Sequence, residues 1–284
     1  MARTFQLLRL YQDMSVINNV MSGYHTLVPY KFIDAVIGRK KIWDQEKVIK
    51  EEMMEGKEGW DKEDKSSIPN WFWEAVDTPA ESRTIEVDEC DVAYRFYPAP
   101  GKPGMLLIHG MNAHSRWWDF IAPAFLGNYN VVAIDLSGSG DSEHRSEYSL
   151  EVFSQEIIGV CKDANLKNIT LIGHSFGGSV ARSCAFLNPG FFSRLILVDS
   201  SFEARKSYPA MSRKENASKR YYATLEEAKK RFKLRPPQPC LNQYILDYIA
   251  AHSLTKSTGG YCFKLDQQMF KKMKQSRLPN ALSM

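Results

Sequence analysis

Short apolar runs at 105–108, 131–134, 169–172 and 195–198 alternate with longer stretches at 115–126, 149–164 and 177–188 whose apolar residues recur at helical spacing. The runs are continuous rather than alternating in polarity, as expected of parallel strands covered on both faces. The pattern therefore predicts a βαβ rhythm, with each strand followed by a helix that crosses back over the sheet. Ahead of it, residues 84–88 and 92–97 alternate apolar with polar positions around the turn Asp88-Glu89-Cys90-Asp91, which predicts an antiparallel entry hairpin.

The segments outside this rhythm read differently. Residues 1–80 are predicted to be a helical and charged extension. Within it, 5–37 are moderately apolar, 44–65 form an exposed helix and linker, and Trp71, Phe72 and Trp73 supply apolar bulk that would cover a core. After Asp199 the rhythm stops. Thr224 and Glu227 form a capping box for a helix reaching about Phe232, the proline-rich stretch 235–239 ends it, and 241–254 predicts a further helix with Tyr244, Ile245, Tyr248 and Ile249 on one stripe. The division expected is thus an extension at 1–80, a core at 81–200, a helical cap at 201–266 and a tail at 267–284.

The chemistry is concentrated at Gly173-His174-Ser175-Phe176-Gly177, set between an apolar strand and the start of an amphipathic helix. Ser175 falls in a sharp turn where flanking glycines avoid the collisions a Cβ would cause, and its hydroxyl is held out at the carboxyl end of the sheet beside a helix amino terminus. Two other strand ends carry His109-Gly110-Met111 and Asp135-Leu136-Ser137-Gly138-Ser139-Gly140-Asp141-Ser142.

In their order and spacing these motifs resemble the α/β-hydrolase fold, over roughly residues 84–266. The resemblance implies an α/β fold: a mostly parallel sheet with helices on both faces and a helical cap. It also implies a serine nucleophile, Ser175, that attacks a carbonyl, with the amides of Met111 and Phe176 as oxyanion hole. Esterase-like and C–C-hydrolase-like members are the ones it resembles. The same resemblance implies two later strands carrying an acid and a histidine. Residues 267–284 hold neither a strand-like apolar run nor a histidine, so the expected fold is C-terminally incomplete.

Three readings stay open: a shortened hydrolase; a hydrolase in which His252 serves as base with Asp199 as acid, preserving the order Ser, Asp, His; and a non-catalytic interaction protein that retains the scaffold. A serine at the elbow excludes mechanisms with a carboxylate nucleophile. Phe202, Tyr208, Tyr244 and Tyr248 are the candidate pocket residues.

Composition narrows partners. The net charge of +4 is dispersed, and the densest basic stretch, 213–235, is interleaved with Glu215, Glu226 and Glu227, so a solvated helix face is expected rather than a nucleic-acid surface. The five cysteines are odd in number and widely spaced, with no metal or redox motif among them. The expectations are a small-molecule carbonyl substrate, no metal or other cofactor, no membrane span and a cytoplasmic location. Oligomeric state is left open.

Overall fold

A computed structural model describes residues 68–200, 220–234 and 240–274, all within the unit Ile68–Met284. The expectations for residues 1–67, for Phe202 and Tyr208, for 213–219, for 235–239 and for the end of the tail lie outside the described residues.

Six strands form one sheet in the order β1-β2-β4-β3-β5-β6. The entry hairpin, β1 (Glu81–Glu86) and β2 (Asp91–Tyr97), is antiparallel, and β2 also pairs antiparallel with β4 (Asn130–Ile134). Strand β3 (Gly104–Ile108) lies parallel between β4 and β5 (Thr170–His174), and β6 (Arg194–Val198) adds parallel to β5. Every residue of β3 is buried, which is why this run is apolar without alternation.

The pleat sends successive side chains of the central strands to two cores. Leu106, Ile108, Val132, Ile134 and Leu171 pack with Phe153, Ile157, Val160, Val180 and Cys184 of the helices α2 (Leu150–Asp163) and α3 (Phe176–Leu187). Met105, Leu107, Val131, Ala133 and Ile172 face the opposite side, covered by Ala122, Trp118 and Phe125. Helix α2 starts where Ser149 Oγ accepts from the Val152 N–H at 3.1 Å, and its buried residues recur at three- and four-residue spacing.

Three local expectations are revised. The stretch 115–126 is two short 3-10 turns, Ser115–Trp118 and Ala122–Phe125, with Pro123 opening the second. The capped helix is short: Thr224 Oγ accepts from the Glu227 N–H at 3.1 Å, but α4 spans only Leu225–Lys229 before bonds from Arg231 to Ala228 and from Phe232 to Lys229 tighten it. The segment after Asp199 is not wholly helical either. Helix α5 (Gln243–His252) leads directly into an antiparallel hairpin of β7 (Leu254–Ser257) and β8 (Gly260–Phe263), with Thr258 and Gly259 as its turn. A small aromatic helix, α1 (Asn70–Val76), buries Phe72 against Tyr244 and Tyr248 of α5 and against Phe120.

Candidate active site

At the carboxyl end of β5 the chain reverses into α3 through a single residue. Ser175 has φ 50° and ψ −115°, a region that costs a non-glycine residue about 1–3 kcal/mol and persists only where surrounding structure enforces it. The enforcement is steric. A Cβ at Gly173 would lie 2.3 Å from the Gly177 carbonyl oxygen, and one at Gly177 would lie 2.3 Å from that of His109. The elbow therefore presses against the end of β3, bringing the His109-Gly110-Met111 segment beside Ser175. A Cβ at Gly110 would stand 2.8 Å from His174 Nδ1 and 3.5 Å from Ser175 Cβ.

Met111 occupies a tight turn closed by the Ala113 N–H donating to the Gly110 carbonyl at 3.2 Å, with Asn112 at φ 61°. The base of this turn is fixed by His109. Its Nε2 accepts the Leu136 N–H at 3.2 Å, so the ring proton resides on Nδ1, which donates to the Gly110 carbonyl at 2.8 Å. Burial, offset by that backbone bond, pushes the imidazole down to about 4. A neutral ring with both nitrogens engaged is a structural bracket between the strand ends and has no lone pair for a substrate. Asp135, at the end of β4, accepts from the backbone N–H groups of Ser115 and Asp141, and burial raises its carboxyl to about 6. Phe176 opens α3, and its ring packs edge-on against Phe153 and Phe270.

The remaining histidines are placed as follows. His174 is largely buried, which lowers its pKa, and the charge of Asp199 works against that shift. His114 Nε2 lies 2.9 Å from Ser253 Oγ, and His144 Nε2 lies 2.7 Å from the Lys264 carbonyl oxygen. His252 closes α5: its Nδ1 is 2.8 Å from the Tyr248 carbonyl oxygen, its ring lies 4.2 Å from that of Tyr248, and burial depresses its pKa. Asp199 follows β6 at φ 46° and is exposed. Among the described residues no hydrogen bond joins His252 to Ser175 or to Asp199, and no three His, Cys, Asp or Glu side chains are grouped as metal ligands.

A buried polar cluster outside the sequence motifs forms around Asp119. Asp119, 1% exposed, accepts from Arg95 Nε at 2.7 Å and Tyr97 OH at 2.6 Å on one oxygen, and from Tyr248 OH at 2.6 Å on the other. The available signal was an acid inside the aromatic run Trp117-Trp118-Asp119-Phe120, where a carboxylate must find donors to be buried.

Comparison with known proteins agrees with this geometry. Residues 103–233 match the alpha/beta hydrolase fold family. An uncharacterised hydrolase of Bacillus subtilis, YugF, is 29% identical over 131 residues, covering 45% of this chain and 48% of that protein. A putative esterase/lipase of Haemophilus influenzae is 33% identical over 99 residues, covering 35% and 34% respectively. Against these curated relatives the match spans less than half of their length. Among solved structures, the thioesterase domain from the curacin biosynthetic pathway superposes with a TM-score of 0.55 at 25% identity, covering 66% of this chain and 70% of that one. The strand order, the strained elbow at Ser175 and these matches together show the α/β-hydrolase fold, with the family's pattern matched over residues 103–233.

Proposed function

We propose that this chain is a serine hydrolase of esterase-like type, acting on a small-molecule carbonyl compound through Ser175. The observation that carries the reading is the backbone of Ser175, held at φ 50° and ψ −115° at the junction of a buried strand and a helix amino terminus, the strained turn on which a nucleophile elbow is built. In this reading Ser175 Oγ attacks the carbonyl carbon. The oxygen that becomes an alkoxide is held by the amides of Met111 and Phe176, which lie on the two segments that Gly110 and Gly177 bring into contact. Collapse of that alkoxide breaks the bond to the leaving group, which departs with the proton given up by the serine hydroxyl, and water then hydrolyses the acyl-serine to the free acid and regenerates Ser175. The described part of the segment proposed as cap sets Tyr244 and Tyr248 against the aromatic helix α1.

The base is the open assignment within the reading. His252, backed by Asp199, keeps the family's chain order, and for it to act the ring would have to leave the Tyr248 carbonyl. A shortened hydrolase without its own base would retain only the catalysis that binding and an oxyanion hole supply, about 10³ to 10⁴ over water. A cytoplasmic location fits five unpaired cysteines. Among the described residues, no helix is long and apolar enough to cross a membrane.

A second reading, an interaction protein on a hydrolase scaffold, is favoured by strand β6, where Ile196 and Val198 are each 42% exposed. Labelling with a fluorophosphonate separates the two. Modification of the wild-type chain, lost in Ser175→Ala, is expected for a hydrolase; an unlabelled chain supports the scaffold reading. His252→Ala then tests the base: a true base contributes about 100-fold or more, whereas a change under roughly threefold removes His252 from the mechanism.

A further inference from the structure

Two buried polar links tie helix α5 to the loop that carries Met111. In the first, Tyr248 OH donates to Asp119, whose carboxylate is also held by Arg95 and Tyr97 from β2. In the second, the Ser253 hydroxyl donates to the Ile249 carbonyl at 2.7 Å, which uses its only proton. Ser253 Oγ must then accept from His114 Nε2–H at 2.9 Å. Both loop partners, His114 and Asp119, follow Met111 within eight residues. The stretch between them is further anchored by the Ser115 N–H on Asp135.

The links differ in chemistry and lie on successive turns of one helix end. A buried carboxylate and a buried imidazole both lose if their partners withdraw, and on the Asp119 oxygen that Tyr248 serves only the longer 3.4 Å contact from Arg116 would remain. Packing reinforces them, because Phe72 contacts Phe120 in the loop and Tyr244 and Tyr248 on the helix.

We propose that α5 and the loop from His109 to Phe120 are coupled through these links, with Tyr248 and Ser253 as positioning residues for the Met111 amide. The catalytic meaning of this coupling rests on the serine-hydrolase reading; the coupling itself does not. A displacement of α5, as when a substrate enters beneath it, would be transmitted to the oxyanion turn through Asp119 and His114. Substrate fit under the helix would thereby be sensed at the donor that stabilises the alkoxide.

Hydrogen exchange followed by mass spectrometry on the full chain tests this. Tyr248→Phe keeps the ring and its contacts with Phe72 but removes the hydroxyl; Ser253→Ala removes the other link. Each is expected to raise exchange across 110–120 by about tenfold or more while strands β3, β4 and β5 keep their protection. Ser253→Thr, which retains the hydroxyl, should restore slow exchange in that loop. For an activated ester, kcat should fall about tenfold in Tyr248→Phe and Ser253→Ala with KM unchanged, since the oxyanion donor acts in the transition state. Unchanged loop exchange in both variants, or an increase that spreads equally over the strands, would overturn the proposal. Absence of Ser175 labelling in the wild-type chain would count against the hydrolase reading alone, because the exchange comparison decides the coupling either way.

Discussion

The backbone N–H of Ser175 donates to the carbonyl of Val198 at 2.8 Å, so the strained residue is still part of the β5–β6 ladder on one side while it starts a helix on the other. The Ser175 carbonyl in turn accepts from the Gly178 N–H at 3.0 Å. The conformation is thus imposed by bonds that belong to two regular elements, and the strain should be recoverable as stability. Ser175→Gly is expected to be more stable than Ser175→Ala by about 1 kcal/mol, because only glycine adopts this φ and ψ without a Cβ clash. Urea denaturation of the two variants measures the difference; equal midpoints would mean that the backbone relaxes when the serine is removed.

Arg145 and Glu156 form a buried ion pair at 3.0 Å, with the carboxylate fully covered and its pKa raised by burial despite the guanidinium. Arg145 also donates to the Val87 and Asp88 carbonyls, so it ties the turn of the entry hairpin to α2. Arg145→Met should cost about 3–5 kcal/mol, the usual penalty for leaving a buried charge without its partner. Adding Glu156→Gln, which still accepts the Ser137 N–H, should recover at least roughly 1 kcal/mol. A double variant as unstable as the single one would place the loss in the carbonyl contacts instead.

The strands and the elbow were legible because local sequence determines them: a buried parallel strand must be continuously apolar, and a tight elbow must carry glycines where Gly173 and Gly177 stand. The 3-10 turns at 115–125 were less so. Their apolar residues have helical spacing, but the backbone there is committed to bonds with distant groups, such as the Ser115 N–H to Asp135. Asp119 could not be assigned from local pattern, since Arg95, Tyr97 and Tyr248 reach it from far along the chain. The β7–β8 hairpin was hidden because Leu254, Thr255, Lys256 and Ser257 are mostly exposed and lack an apolar alternation.

Strand β6 pairs with β5 along one side, and its burial runs against that of the other parallel strands: Ile196 and Val198 are exposed, as are Phe186 and Leu187 at the end of α3. An apolar strand edge without a lysine, proline or bulge within it favours pairing with another chain. Concentration-dependent association is expected in sedimentation velocity, with Ile196→Lys shifting the distribution toward monomer. A wild-type chain that stays monomeric across the accessible concentration range would show that this face is covered.

His109 makes the fold sensitive to mild acid. Burial holds its imidazole at about 4 in the folded chain against an ordinary value near 6.5, so between these limits the unfolded chain binds the extra proton and the folded one does not. Its contribution is therefore complete above about pH 6.5 and declines as pH falls toward 4, by up to roughly 3 kcal/mol. Asp135 acts in the opposite direction: its carboxyl, raised by burial to about 6, keeps its proton in the folded state, so its contribution declines as pH rises from about 4 to 6. Burial also depresses His114, His174 and His252, so the wild-type curve still falls in acid, and removing His109 alone isolates its share. His109→Asn removes one titration and leaves the others, so its stability should fall less steeply than that of the wild type as pH is lowered from 6.5 to 4. Parallel stability curves for the two proteins over that interval would show that His109 does not stay neutral in the fold.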